Sequence, residues 1–212
     1  MVSYLVLVNN PDCSKKETMI LYYAPGACSQ ACHIALIEAN MPHQLVKVGR
    51  DRRTEDGRDF NRINSKGYTP ALDLGDGTIL TENLAILAWI ADSSGKLLAK
   101  DGLERWRTLE ATAFMTTEIH RGFTPFFRDG TEQDKEQARE TLFMRFSTLS
   151  EQLGEKQYLI GQHMTIADCY LFVMLSWAAM LGVPVPAPLD DYRVRMKGVP
   201  SVAAALAAEG LA

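Results

Sequence analysis

The residues best suited to chemistry are Cys28 and Ser29, which close the stretch Tyr22-Tyr23-Ala24-Pro25-Gly26-Ala27-Cys28-Ser29. Met19-Ile20-Leu21-Tyr22-Tyr23 is an apolar and aromatic run of the kind that forms a buried strand. Ser29 to Ala39 is rich in Ala, Ile and Leu and reads as a packed helix, with Pro25-Gly26 as the turn between the two. Cys28 then falls in the first turn of that helix, where unpaired backbone N–H groups and the helix dipole favour negative charge. A thiol there is expected to ionise more readily than a free cysteine, and the thiolate is the reactive form. Read alone, the same cysteine also fits a small buried hydrophobe.

The elements that must position it are legible downstream. Leu45 to Val48 reads as a second strand, Pro70 to Leu74 as a third and Thr78 to Leu80 as a fourth, the last two joined by the turn Gly75-Asp76-Gly77. Glu82-Asn83 opens a helix through Leu84, Ile86, Leu87, Trp89 and Ile90. The order is β-α-β, a loop with room for one short helix, then β-β-α, a small α/β unit over residues 19–95. After a linker from Gly95 to Gly102, residues 103–212 carry apolar groups at helical spacing, such as Trp106, Leu109, Ala113 and Phe114, and read as all-helical. Thr165-Ile166-Ala167-Asp168 is a capping box that starts a long apolar helix. Residues 1–18 stand ahead of this plan as an N-terminal extension.

Bulk properties narrow the function classes. The chain has 212 residues, 47% of them hydrophobic and 23% charged, with a net charge of −4. That charge argues against a nucleic-acid-binding surface, which relies on basic patches. No apolar run is long enough to span a bilayer, and the N-terminus lacks the pattern of a signal peptide. Four irregularly spaced cysteines make no disulfide framework, so the expectation is a cytoplasmic protein with reduced thiols. The four histidines show no metal-ligand spacing, and no metal is expected.

In order along the chain, several motifs resemble the glutathione transferase family, most closely its bacterial beta class. They are Tyr22 to Ser29; His33-Ile34-Ala35-Leu36; Asn64-Ser65-Lys66-Gly67-Tyr68-Thr69-Pro70-Ala71-Leu72; Leu80-Thr81-Glu82; Glu118-Ile119-His120-Arg121; and Thr165 to Asp168 with Tyr170-Leu171-Phe172. The resemblance implies a thioredoxin-like βαβαββα domain followed by an all-helical domain, with glutathione as co-substrate. It implies that Thr69, before a cis-Pro70, offers its backbone to the cysteinyl part of glutathione. Glu82 would take the glutamyl ammonium, while Asn83 and the helix N-terminus take the carboxylate. His120 and Arg121 would face the thiol region, and Tyr23 belongs to the matched binding motif. Cys28, Ser29 and His120 are the candidate catalytic residues. Ser29 is placed to bond a bound thiolate, and His33 to hold the site together.

Two residues depart from the beta pattern: Asn83, where Ser or Gly is usual, and Cys32, where Pro is usual. Cys32 lies four residues after Cys28, on the same helix face. That spacing leaves open a resolving thiol, although a helical cysteine beside Ala31 and Ala35 also fits core filler. Three functions therefore stand: conjugation of glutathione to small electrophiles in detoxification; glutathione-dependent thiol–disulfide exchange through Cys28; and non-catalytic binding on the same fold. The resemblance also implies a homodimer, with Met115 and Phe127 as exposed apolar candidates for its interface. Ala24, His120, Phe123 and Trp177 are expected to line the second-substrate pocket.

Overall fold

The structure, a computed structural model, describes residues 18–212; almost all of the expected N-terminal extension lies outside them. Strand β1 (Met19–Tyr23) is followed by helix α1 (Ser29–Glu38), β2 (His43–Lys47), β3 (Ala71–Asp73), β4 (Ile79–Thr81) and α2 (Asn83–Ser94). The sheet order is β2-β1-β3-β4, with β1 parallel to β2 and antiparallel to β3, and β3 antiparallel to β4. Between β2 and β3 the only helical element is a 3₁₀ turn, Phe60–Arg62, capped by the Asp59 side chain on the Asn61 N–H. The Arg- and Asp-rich loop leading to it forms local ion pairs such as Arg58–Asp56.

Successive side chains of a strand face opposite ways, and β1 shows the consequence. Leu21 and Tyr23 join the main core under α1, whereas Tyr22 packs on the other face with Val48, Phe60 and Ala71. The rest of the described chain is helical: α3 (Gly102–Phe114), a π-helical turn (Met115–His120), α4 (Thr124–Phe127), α5 (Glu132–Leu153), α6 (Ile166–Leu181), α7 (Ala187–Lys197) and α8 (Pro200–Ala208). This is a thioredoxin-like domain followed by an all-helical one.

The two are not separate bodies. Helix α1 packs against the sheet and α2 on its own side and against α6 and α8 on the other. Leu21, Ile34, Ile86, Phe123, Tyr170 and Val202 belong to one continuous apolar core. The Thr165–Asp168 capping box forms as expected, and the Asp168 carboxylate also accepts from the Leu159 N–H at 2.8 Å and the Tyr192 hydroxyl at 2.7 Å. Among the described residues no helix is long and apolar enough to cross a membrane.

Candidate active site

Cys28 stands where its sequence context puts it, as the residue that begins α1. The turn before it is tightly held. Gly26 has φ +67°, a conformation that L side chains rarely adopt, and its backbone is clamped at both ends. Its N–H donates to Glu209 Oε2 at 2.9 Å, and its carbonyl accepts from Trp177 Nε1 at 2.7 Å. Glu209 also accepts from Gln30 Nε2 at 3.2 Å and lies 2.9 Å from His33 Nδ1. One buried carboxylate near the C-terminus thus gathers the cysteine turn and the first turns of α1. The hydrogen bond of His33 goes to this carboxylate.

The electrostatics of Cys28 differ from expectation. The backbone amides of Cys28 and Ser29 do pull its pKa down, but burial acts more strongly, and the thiol is pushed up to about 12. With its residue only 9% exposed, the thiolate would lose its hydration, which outweighs the helix-terminal dipoles. The protonated sulfur donates weakly to the Thr69 carbonyl at 3.7 Å. Ser29 is fully buried; its hydroxyl donates to the Ala24 carbonyl and accepts from the Ala24 N–H, both at 3.2 Å, so it is spent on the turn.

Thr69–Pro70 is a cis peptide that leads directly into β3. Opposite it, Glu82 precedes α2 with φ +71°, an uncommon conformation for a non-glycine residue. Its carboxylate is half-exposed and ionised, held below the usual range first by Lys66 and then by the Tyr68 hydroxyl at 2.9 Å. The charge of Glu82 reaches Cys28, whose pKa it helps to raise. Asn83 opens α2 as expected, but its side chain turns inward. Its Oδ1 accepts from the Cys32 thiol at 3.0 Å, leaving Nδ2 buried without a hydrogen-bond partner. Only the amides at the head of α2 remain for an anion there.

His120 is the last residue of the π-helical turn, a device that re-aims a side chain within a helix. Its ring sits edge-on to Trp177 at 5.0 Å, and Nδ1 lies 2.6 Å from the Tyr170 hydroxyl. Burial lowers its pKa and keeps the imidazole neutral. Arg121, the next residue, is exposed and lines a separate cavity of about 460 Å³ with Arg128, Asp134 and Gln137 between α4 and α5. Tyr23 faces the core, 6.4 Å from the His33 ring, with Glu209 close enough to raise its pKa alongside burial. The structure thus brings together Cys28, Thr69, Pro70, Glu82 and the head of α2, and ties His120 to the cysteine turn through Trp177, whose indole meets both the His120 ring and the Gly26 carbonyl. It places Tyr23 and Arg121 elsewhere and commits Ser29 to the turn.

The aromatic wall differs in detail. Phe123 is fully buried and Trp177 nearly so, with Trp177 stacked edge-on to both Phe123 and Phe127. Ala24, His120 and the half-exposed Phe127 are the groups that retain surface. Cys32 is fully buried with its pKa raised well above the usual value by burial, which weighs against a resolving thiol. Among the described residues no group of three His, Cys, Asp or Glu can hold a metal ion.

Two family models match this layout: the glutathione S-transferase N-terminal domain over residues 26–93 and the C-terminal domain over residues 114–196. The chain belongs to the glutathione S-transferase family. It is 42% identical over 200 residues to glutathione S-transferase GstA of Escherichia coli O157:H7, covering 91% of this chain and all of that protein. Glutathione S-transferase GST-4.5 of Xanthomonas campestris is 35% identical over 211 residues, with 91% of this chain and all of that protein covered. Among solved structures, the beta-class glutathione S-transferase of Sphingomonas chungbukensis superposes with a TM-score of 0.85 at 40% identity, over 91% of this chain and all of that one. A sphingomonad glutathione S-transferase solved with glutathione gives 0.84 at 40% identity over the same shares.

Four contributors to the site are not evident from sequence patterns. Lys66 and Tyr68 sit inside a recognisable motif, but nothing in it says that both converge on Glu82. Tyr170 follows the capping box and looks like core. Glu209 is the single acid within a terminal Ala-rich stretch, and that isolation is the one signal that marks it.

Proposed function

We propose that this chain binds glutathione in the groove bounded by Thr69, Glu82 and Cys28 and transfers its thiol to small electrophiles. The observation that carries the reading is Glu82: a half-exposed, ionised carboxylate beside the N-terminus of α2 that already holds the ammonium of Lys66. The glutamyl end of glutathione carries an ammonium and a carboxylate, and Glu82 and the leading amides of α2 are their complements. The Thr69 backbone pairs with the cysteinyl backbone as an added strand does. The glutathione sulfur then lies between Cys28 and His120. Neutral His120 and the Cys28 thiol can each donate to a thiolate, lowering the cost of ionising glutathione there. The proton leaves to solvent, and the sulfur lone pair forms the C–S bond as the electrophile expels its leaving group or accepts the electrons into an activated double bond.

The electrophile sits against Ala24, His120 and Phe127, an apolar and aromatic wall suited to small aryl or alkyl groups in a detoxifying reaction. The same reading includes two units at residues 19–95 and 103–212, a homodimer and a cytoplasmic location. The high pKa of Cys28 and the burial of Cys32 favour conjugation over disulfide exchange. A conjugation assay with glutathione and an activated aryl halide, run beside intact-mass analysis after exposure to oxidised glutathione, tests the proposal. Conjugation that persists in Cys28→Ala is expected. Absent conjugation, with a glutathione adduct formed on Cys28, would establish disulfide exchange instead.

A further inference from the structure

Tyr170 sits at the centre of a polar cluster that crosses the domain boundary beneath Cys28. The Cys32 thiol on α1 donates to Asn83 Oδ1 on α2, and Tyr170 on α6 reaches His120 Nδ1 at 2.6 Å. Asn83 Nδ2 has no partner at hydrogen-bond geometry, yet it lies close enough to the Tyr170 oxygen to act on it as a donor. Thr116, also beside that oxygen, has its own proton committed to the Thr112 carbonyl at 2.9 Å. Among these groups the phenolic proton has one acceptor at hydrogen-bond distance, His120 Nδ1. A phenol is a better donor than a neutral imidazole N–H, and an imidazole nitrogen is a better acceptor than an alcohol oxygen. The short contact to Nδ1 fits an O–H···N bond.

We infer that Tyr170 is a positioning residue that donates to His120 Nδ1 and so fixes the ring with its proton on Nε2. His120 then offers the groove a hydrogen-bond donor and has no free nitrogen with which to take a proton. The imidazole is kept neutral by burial, so this tautomer persists at neutral pH. The use of that donor on a glutathione thiolate rests on the function proposed above; the tautomer itself does not.

Long-range ¹⁵N–¹H correlation of the imidazoles, with His120 assigned by loss of its signals in His120→Gln, reads the tautomer in the free wild-type protein. The inference requires Nδ1 in the unprotonated range and Nε2 in the protonated one, and averaging between tautomers in Tyr170→Phe. Nδ1 protonated in the wild type would overturn it, whatever the protein's activity. In conjugation assays, Tyr170→Phe should lower kcat/KM by about 3- to 10-fold, the loss of one neutral hydrogen bond. The double variant with His120→Gln should be no worse than His120→Gln alone. Fully additive losses would mean that Tyr170 acts by another route and would also overturn the inference. If glutathione fails to bind while Nδ1 is unprotonated, the tautomer stands and the proposed function falls.

Discussion

At the scale of single residues, the site is governed by how burial competes with local dipoles. Cys28 has the helix-terminal setting that depresses thiol pKa values, but its closed surroundings reverse the sign. Because the folded value lies far above the ordinary one, the thiol stays protonated through neutral pH. Its alkylation by an uncharged reagent should be slow at pH 7 and still rising at pH 10, whereas the same cysteine in the urea-unfolded chain should level off above about 8.5. A plateau below pH 8 in the folded protein would show that the dipoles win. The location of this cysteine was readable from its neighbours; its ionisation was not, because desolvation depends on what the helical domain packs over it. Asn83 makes the same point. Its place at the head of α2 follows from sequence, but its inward turn depends on Cys32, a partner fifty-one residues away.

At the scale of elements, the cysteine turn is held by groups that arrive from the far end of the chain. Glu209 ties Gly26, Gln30 and His33, and Trp177 on α6 holds the other side of Gly26. Glu209→Ala leaves these donors buried without their acceptor and should destabilise the fold by about 3–5 kcal/mol in urea titrations. It should also speed alkylation of Cys28. A stability change within about 0.5 kcal/mol, the range of an ordinary surface substitution, would show that water replaces the carboxylate without loss. The succession of strands and helices and the Thr165–Asp168 cap were legible because each has a local signature, whereas the cis-proline entry to β3 was legible only through the family resemblance. The Glu209 clamp was not, since an acid beside alanines carries no information about the turn it meets. The π-helical turn at His120 was equally silent, as its sequence is that of an ordinary helix.

At the scale of the whole molecule, one apolar core runs through both domains, so the chain should unfold in a single cooperative transition. The proposed homodimer needs an apolar surface, and Met115 cannot supply it: the residue is fully buried. Helical spacing alone does not say which face of a helix meets solvent. Leu103 and Trp106, 68% and 64% exposed on α3, are better placed. Sedimentation velocity should find a dimer that Trp106→Glu converts to monomer; a wild-type monomer at tens of micromolar would remove dimerisation from the account. The central claim, that Glu82 and its neighbours form a glutathione site, is tested most directly by titration calorimetry of wild type and Glu82→Gln with reduced glutathione. The account predicts one glutathione per chain, with affinity weakened about 10-fold or more by the substitution, the cost of a lost charge-assisted bond. No binding to the wild type, or equal binding to both proteins, would contradict it.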